Sequence, residues 1–336
     1  MKFQRADILL GTTFDMTRSL PIIDMATYRS GSADAKTRLV EQIATMSHDL
    51  GFFYLVNHGV PDSLLQGQLD WAKRFFELPL DEKLALDFRK SPVRRGYEPI
   101  ALQTLQAGAQ PDQKEAFSLG RALPPDHWLM RKHAPFEGPN QWPTNRSGFD
   151  ADGFRAQMEA YRDAVVGLGR ELCGLIAVSL DLPEDYFAEA LTEPNASVRV
   201  LHYPPQPPAV AAGDRFGAGA HTDWGFITVL LQDDCGGLEI KVDGQGWLKA
   251  APTPGALIVN LGDMVVRLTG GRYASNVHRV LTTAPGRDRY SVATFFNPHA
   301  FYTVECVPSC VSEPGRGEPV SFAEHINAKI RETYAA

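Results

Sequence analysis

The amino-acid sequence predicts a mainly β protein that also carries helices, and three features of its 336 residues support this prediction. Short β-prone runs separated by turn residues follow one another after Pro194. Helical patterns dominate the chain before that point, and one amphipathic pattern closes it. Many short strands at regular spacing are typical of a sandwich, a jelly roll or a barrel. We therefore expect the helices to brace a β core within one compact unit.

The first elements alternate between helix and strand. Apolar residues recur at helical spacing in residues 35–50, so this segment predicts a helix that ends at the following glycine. Residues 52–60 form a short apolar run that predicts a buried strand. Residues 61–79 predict a second helix, with Asp62 or Ser63 as its cap.

The longest helical pattern covers residues 154–182, which are apolar enough to be largely buried. Residues 89–150 are rich in proline, glycine and arginine, and their pattern assigns no element. At the other end of the chain, residues 320–336 predict an amphipathic helix. Such a helix could pack on the core, close a pocket or mediate a dimer.

The second half holds seven runs that combine β-prone residues with flanking turn residues. These runs are residues 197–203, 226–232, 237–242, 247–252, 256–261, 276–281 and 289–296. We therefore divide the chain into a helix-rich region packed on the core, a β core and a carboxyl-terminal tail with a helix. The three regions are residues 1–193, 194–305 and 306–336.

Composition and charge exclude several classes of protein. A net charge of -7 argues against nucleic acid or an anionic membrane as the main partner. No apolar run approaches the about 18–20 residues of a membrane span, and the amino terminus lacks the apolar core of a signal peptide. The four cysteines form no CxxC pair and are too few for a disulfide scaffold. We expect a cytoplasmic protein that is a monomer or a weak homo-oligomer and acts on a small molecule.

One β-prone run begins with an unusual pair, in the sequence "GAHTDWGFITVLLQ". His221 and Asp223 are two positions apart, which in a strand places an imidazole and a carboxylate on one face. A strand-edge histidine beside a solvated aspartate would give the same pattern. His278 lies inside another β-prone run, and two histidines with one carboxylate can cover one face of an octahedral Fe(II) and leave three positions open. Zinc is more often enclosed tetrahedrally.

A second pair follows in "RYSVATFFNP". Arg289 and Ser291 share one face of a predicted strand. A guanidinium beside a hydroxyl receives a carboxylate well, because it offers bidentate geometry and one further donor. The alternative is a surface ion pair between Arg289 and an acid such as Asp288.

Together, H-x-D, a later histidine and R-x-S resemble the isopenicillin N synthase-like branch of the Fe(II)/2-oxoglutarate-dependent dioxygenases. The resemblance extends over most of residues 20–300 and implies a double-stranded β-helix, or jelly-roll, core braced by amino-terminal helices and a carboxyl-terminal helix. Its other blocks are "LPIIDM" at 20–25, "GFFYLVNHGVP" at 51–61, "RRGYEP" at 94–99, "KEAFSLGR" at 114–121, "LHYPPQP" at 201–207 and "GDMVVRLTGGRYASNVHRV" at 262–280.

The resemblance also implies two sets of site residues and no catalytic side chain beyond the metal site. Iron is implied at His221, Asp223 and His278, and the cosubstrate 2-oxoglutarate at Arg289, Ser291 and Tyr203. The expected activity uses Fe(II), 2-oxoglutarate and O2, and couples oxidative decarboxylation of 2-oxoglutarate to hydroxylation or desaturation of a small molecule.

Two other functions fit parts of the same pattern. An Fe(II) oxidase of the isopenicillin N synthase type needs no 2-oxoglutarate, and its Arg–Ser pair would hold a substrate carboxylate. A metal-binding or sugar-binding jelly-roll module would have no redox role. The complete set of two histidines, one aspartate, one arginine and one serine disfavours such a module.

The resemblance implies a substrate pocket lined by variable segments, here parts of residues 89–130 and the tail after residue 300. Arg199 alternates onto the same strand face as Tyr203, so it is a candidate contact for substrate or cosubstrate. A salt bridge on the outside of the barrel is the alternative. Three aromatic residues are further candidates, with core packing as their alternative: Tyr97, Phe117 and Phe295.

Overall fold

The computed structural model describes residues 19–106, 108–205, 216–281, 286–312 and 317–334, so the amino terminus, for which the sequence predicts no signal peptide, lies outside the described residues. In the described ranges the helices are α1 Met25–Ser30, α2 Ala33–Asp49, α3 Asp62–Phe76, α4 Leu80–Ala85, α5 Trp128–Arg131, α6 Ala151–Ser179, α7 Asp263–Leu268 and α8 Phe322–Tyr334. Short 3₁₀ turns cover Phe88–Lys90 and Pro308–Cys310. None of these helices has both the length and the apolar character that a membrane span requires.

The strands of the same ranges form two large sheets and one small one. They are β1 Ile22–Asp24, β2 Phe52–Val56, β3 Gly96–Glu98, β4 Glu115–Leu119, β5 Asn195–Tyr203, β6 Phe216–His221, β7 Ile227–Gln232, β8 Leu238–Val242, β9 Gly246–Lys249, β10 Leu257–Leu261, β11 His278–Leu281, β12 Arg289–Asn297, β13 Thr303–Val304 and β14 Val320–Ser321. The larger sheet has the order β1-β2-β10-β7-β12-β5-β4-β3, the second has the order β6-β11-β8-β9, and β13 pairs with β14.

Strand pairing is antiparallel throughout the described sheets, except that β1 runs parallel to β2. One apolar cluster lies between the two large sheets and contains residues of both. The predicted jelly-roll core with flanking helices is confirmed by this arrangement.

A second, larger apolar cluster lies between the helices and the other face of the eight-stranded sheet. Phe154 of α6 stacks on Phe75 of α3 with ring centroids 5.2 Å apart. Gly169 lets α6 approach β12 closely, because a Cβ at this position would lie 2.7 Å from the ring of Phe296. The helices therefore support from behind the strand that carries Arg289 and Ser291.

The structure adds detail to the elements predicted before Pro194. Helix α3 begins at Asp62, and Pro61 holds its cap position without a side-chain hydrogen bond, so the predicted cap at Asp62 or Ser63 is wrong. Residues 89–150, which the pattern left unassigned, contain β3, β4 and α5. Strands β3 and β4 extend the large sheet beyond β5.

A buried polar network joins this extension to the rest of the sheet. The Glu115 carboxylate on β4 accepts hydrogen bonds from His202 Nδ1 at 2.7 Å, Lys83 Nζ at 2.8 Å and Tyr97 Oη at 2.5 Å. His202 also bonds Asp288 through Nε2 at 2.6 Å. The network therefore connects α4, β3, β4, β5 and the turn that precedes β12.

Replacing Glu115 with glutamine is expected to destabilise the fold at pH 7 by about 3–5 kcal/mol, because it leaves Lys83 as a buried charge without its partner. Burial would raise the pKa of Glu115, but the hydrogen bonds from His202, Lys83 and Tyr97 outweigh it and hold this pKa below its ordinary value. The stabilisation by Glu115 is thus complete above the ordinary carboxyl range and is lost as pH falls through the lowered pKa.

Urea unfolding at pH 7 and near pH 4 measures both effects, since the deficit of the Glu115→Gln variant should shrink on acidification. Glu171→Gln is a matched control, because Glu171 pairs with Arg29 at 2.8 Å but keeps 40% of its side chain exposed. Its loss should stay below about 1 kcal/mol. Equal losses in the two variants would contradict the prediction.

Candidate metal centre and its two cavities

Three side chains that could hold a metal converge between the two large sheets. His221 ends β6 and His278 begins β11, and these residues are direct partners in the strand pairing. The Oδ1 atom of Asp223 lies 4.0 Å from His221 Nε2 and 3.9 Å from His278 Nε2. Each of the three residues offers one donor atom, and all three donor atoms lie within 4.8 Å of one another.

The route by which Asp223 reaches this cluster differs from the sequence expectation. The H-x-D spacing predicts that His221 and Asp223 lie side by side on one strand face. In the structure β6 ends at His221, and Asp223 lies beyond the strand end. The chain turns there, and the turn, rather than strand alternation, directs the carboxylate toward the histidines.

Hydrogen bonds to the backbone orient both histidines. His221 Nδ1 donates to the carbonyl of Gly219 at 2.7 Å, and His278 Nδ1 donates to the carbonyl of Asn276 at 3.2 Å. A carbonyl oxygen only accepts, so each Nδ1 carries a proton, and in the neutral ring Nε2 is then the nitrogen with a lone pair for a metal. Burial, followed by the neighbouring His278, lowers the pKa of His221 to about 3, which keeps this ring neutral.

The Asp223 carboxylate is fixed on its other side. Its Oδ2 atom accepts hydrogen bonds from Thr228 Oγ1 at 2.6 Å and Asn260 Nδ2 at 2.7 Å. Burial would raise the pKa of Asp223, but the two histidines and these two hydrogen bonds outweigh it and lower the pKa below its ordinary value. Oδ1 therefore faces the histidines as an ionised donor.

The donor set fits a ferrous ion. Two neutral imidazoles and one carboxylate that approach from one side are the ligands of the facial triad in non-haem Fe(II) oxygenases. Since the three donors belong to two paired strands and one adjoining turn, they leave the opposite side open to the cavities.

The inner cavity, with a volume of about 80 Å³, is lined by Arg289, Ser291 and Tyr203 and also by the three donor residues. Arg289 Nε donates to the Gly236 carbonyl at 2.5 Å, and Nη1 lies 3.2 Å from Ser291 Oγ. The guanidinium also lies 4.7 Å from the ring centroid of Tyr203.

Arg289 is 1% exposed. Within the described ranges, no Asp or Glu oxygen lies within 4.0 Å of its guanidinium. The alternative surface pair with Asp288 does not form, because Asp288 pairs with His202. A buried positive charge in this position is costly unless an anion enters the cavity. The inner cavity is therefore an anion site.

The outer cavity has a volume of about 240 Å³ and opens on the other side of the triad. Helix α8 supplies one wall, through Phe322, Ile326 and Ile330. This helix is tied to the turn after β6, because His325 Nε2 donates to the Trp224 carbonyl at 2.9 Å. Of the roles that the sequence left open for the carboxyl-terminal helix, packing on the core and closing a pocket are both observed.

The two cavities meet at the triad, and five residues line both: Leu105, Arg199, His221, Asp223 and Phe295. Two substrate candidates from the sequence, Arg199 and Phe295, are thus next to the candidate metal centre.

Tyr97 and Phe117 do not line either cavity. They are 1% and 0% exposed and belong to the apolar cluster on the helix side of the sheet. Their neighbours Glu98 and Ser118 line the outer cavity instead, since successive strand residues point to opposite faces. The expectation that Tyr97 and Phe117 contact substrate is corrected accordingly.

Sequence reasoning missed a second buried pair at this centre. Lys114 lines the inner cavity, and its Nζ donates to Asp112, whose Oδ1 accepts the Gly219 amide at 2.9 Å. Burial lowers the pKa of Lys114 to about 8, against the opposing charge of Asp112. The signal was a lysine two residues after an aspartate in "PDQKEAF", which is too common to interpret alone.

Models of known protein families match both halves of the chain. Residues 20–145 match the model described as the amino-terminal region of a non-haem dioxygenase in morphine synthesis. Residues 194–298 match the model of the 2OG-Fe(II) oxygenase superfamily.

Two curated relatives cover nearly the whole chain. A 2-oxoglutarate-Fe(II) type oxidoreductase of Emericella nidulans is 37% identical over 94% of this chain and 90% of its own length. A 2-oxoglutarate-dependent dioxygenase of Monascus ruber is 35% identical over 94% of this chain and 95% of its own length.

Solved structures also resemble this chain over nearly its whole length. A full-length protein of Neurospora crassa, in complex with α-ketoglutarate and thymine, has a TM-score of 0.81 and 27% identity over 93% of this chain and 96% of its own. A 2OG-Fe(II) oxygenase family protein of Caulobacter crescentus has a TM-score of 0.80 and 30% identity over 94% of this chain and 99% of its own.

Proposed function

The chain belongs to the 2OG-Fe(II) oxygenase superfamily, and from that premise we propose which ligand each of its two cavities binds. The protein is an Fe(II)- and 2-oxoglutarate-dependent dioxygenase that acts on a small molecule. We assign iron to His221, Asp223 and His278, 2-oxoglutarate to the inner cavity and the substrate to the outer cavity.

The buried charge of Arg289 is the observation that carries this assignment. In the described residues Arg289 has no carboxylate partner, and it lines the same inner cavity as the triad. Fe(II) with Asp223 leaves one positive charge, the dianion of 2-oxoglutarate reverses it, and Arg289 restores neutrality. A buried site tolerates such a balanced set far better than an unbalanced one.

When bound, ferrous iron and 2-oxoglutarate supply the chemistry that reduces O2 and oxidises a C–H bond of the substrate. The side chains of the inner cavity hold the cosubstrate and exclude water. Arg289 and Ser291 hold the distal carboxylate of the cosubstrate, and Tyr203 packs beside it. Apolar side chains such as Leu201 and Ala293 line the inner cavity and exclude water, which strengthens each charged contact.

Relatives named for 2-oxoglutarate favour this enzyme over the two alternatives, an Fe(II) oxidase without cosubstrate and a metal-binding module without redox activity. Succinate formed by the anaerobically loaded enzyme after admission of O2 tests the proposal. Succinate that rises with added substrate is the expected result. Substrate oxidation without succinate would point to the oxidase, and no heat on titration of 2-oxoglutarate would point to the module.

Replacing Thr228 with valine is expected to weaken Fe(II) binding by about 10–100-fold, because the partner that orients the Asp223 carboxylate is lost. Valine keeps the shape of threonine, so the sheet should fold normally. Anaerobic calorimetric titration of Fe(II) measures the change. Thr294→Val is the matched control, since Thr294 is a buried threonine on the helix side of β12. The same loss of affinity in both variants would rule out a specific role of Thr228.

Three sequence predictions stay predictions. They are the division into residues 1–193, 194–305 and 306–336, the monomeric or weakly associating state, and the cytoplasmic location without nucleic-acid or membrane partners. Size-exclusion chromatography over a range of protein concentrations measures the second of these directly.

A further inference from the structure

A buried ion pair lines the outer cavity beside the triad. Arg199 on β5 donates from Nη2 to Glu98 Oε1 on β3 at 2.6 Å, and the two side chains are 18% and 10% exposed. The same Nη2 lies 3.3 Å from Gln103 Oε1. All three residues line the outer cavity, so a molecule bound there meets a guanidinium and a carboxylate together.

Glu98 lines only the outer cavity, whereas Arg199 lines both cavities. In the pairing of β12 with β5, Arg289 is opposite Tyr203, whereas Ala293 is opposite Arg199. Four residues along a strand correspond to about 13 Å. A short diacid held by Arg289 does not span this distance, so Arg199 and Glu98 remain available to a second molecule.

Arg289 and Arg199 differ in whether a carboxylate neutralises their charge. Arg289 is buried without a carboxylate partner in the described residues, so the inner cavity favours an anion. Arg199 is already paired with Glu98. A carboxylate on the substrate would share this site with the Glu98 carboxylate, and two like charges at short range in a buried site repel strongly.

An uncharged group that donates and accepts hydrogen bonds side by side suits this pair. Its carbonyl oxygen can accept from Arg199, and its N–H can donate to Glu98, as in a carboxamide, lactam or imide. Aromatic side chains line the same cavity, among them Phe136, Trp224 and Phe295, and flat aromatic surfaces favour a planar ring.

We propose that Arg199 and Glu98 select an uncharged, planar substrate with an amide-like edge and reject its carboxylate analogue. This inference rests on the proposed function, because it takes the outer cavity as the substrate site. Thymine, which is bound in the N. crassa structure, is a planar molecule with edges of this kind.

Benzamide and benzoate test the proposal, since they share one shape and differ in the charged group. Their dissociation constants are measured by calorimetry with the anaerobic Fe(II)- and 2-oxoglutarate-loaded enzyme. We expect wild type to bind benzamide at least about tenfold more tightly than benzoate. Glu98→Gln removes the carboxylate that compensates Arg199 and should reduce this ratio at least about tenfold or reverse it.

Glu239→Gln is the matched control. Glu239 pairs with Arg279 at 2.8 Å, is similarly buried, and lines neither cavity, so this variant should keep the wild-type ratio. Should Glu98→Gln fail to fold, Arg199→Gln takes its place, and it should lose benzamide affinity while Glu239→Gln keeps it.

The outcomes separate this inference from the proposed function. If wild type binds 2-oxoglutarate but prefers benzoate, binds the two probes equally or binds neither, the inference is overturned and the proposed function stands. An unchanged ratio in Glu98→Gln, or unchanged benzamide affinity in Arg199→Gln, also overturns it. If wild type binds no 2-oxoglutarate, the proposed function itself fails.

Discussion

Replacing Asp223 with alanine is expected to remove tight Fe(II) binding and to lower substrate-dependent succinate formation by more than about a hundredfold, since losing an outer hydrogen-bond partner of a metal ligand alone costs about 10–100-fold. The variant loses the only carboxylate of the triad, and two neutral imidazoles are left to hold a doubly charged ion. The same result is expected for His221→Ala, which removes a nitrogen donor.

Anaerobic titration of Fe(II) and quantification of succinate measure the two losses independently. Glu171→Ala is a suitable control, because the Glu171 side chain is 40% exposed and pairs with Arg29 outside both cavities. It should retain wild-type iron affinity. Full activity of Asp223→Ala in the presence of excess iron would refute the ligand assignment.

Replacing Arg289 with leucine is expected to raise the KM for 2-oxoglutarate at least about a hundredfold, because a charge-assisted contact with a carboxylate in a buried site is lost. Iron affinity should change little, since Arg289 is not one of the three donor residues. Arg289→Lys keeps the charge but not the bidentate geometry, so its KM should lie between those of wild type and leucine.

Steady-state succinate formation over a range of 2-oxoglutarate concentrations gives these KM values, and circular dichroism checks folding. Arg287→Leu is the control, because Arg287 is exposed and pairs with Asp234. An unchanged KM in Arg289→Leu would mean that another group receives the carboxylate.

The centre could be predicted from sequence wherever its residues form a local pattern. His221 and Asp223 are two positions apart, and Arg289 and Ser291 are two positions apart on one strand. The structure brings both pairs to the same space between the sheets. Local spacing was sufficient to find them, although Asp223 reaches the cluster through a turn rather than through the strand.

The substrate side depends on contacts between distant segments, which spacing does not reveal. Glu98 on β3 and Arg199 on β5 come together through the order β5-β4-β3 of the sheet. The pattern of residues 89–150 assigned no strand to β3 or β4. Tyr97 and Phe117 illustrate the same limit. The right segment was considered, but because no strand was assigned to it, residues of the opposite strand face were chosen.

The partners of Asp223 were missed for a related reason. Thr228 and Asn260 lie on β7 and β10 in runs that predict ordinary buried strands. A threonine or an asparagine inside such a run has no distinguishing spacing. Only the assembled sheet shows that both donate to one carboxylate.

Both ligand histidines take their orientation from carbonyl groups of their own strands or strand approaches, and the outer cavity is lined largely by side chains of other segments. Orientation by the main chain is insensitive to the identity of neighbouring side chains. Lineages with this scaffold can therefore diversify in the molecules they accept while their oxidising centre persists. Directed evolution toward new substrates should accordingly randomise Val93, Phe136 and Ile326 first.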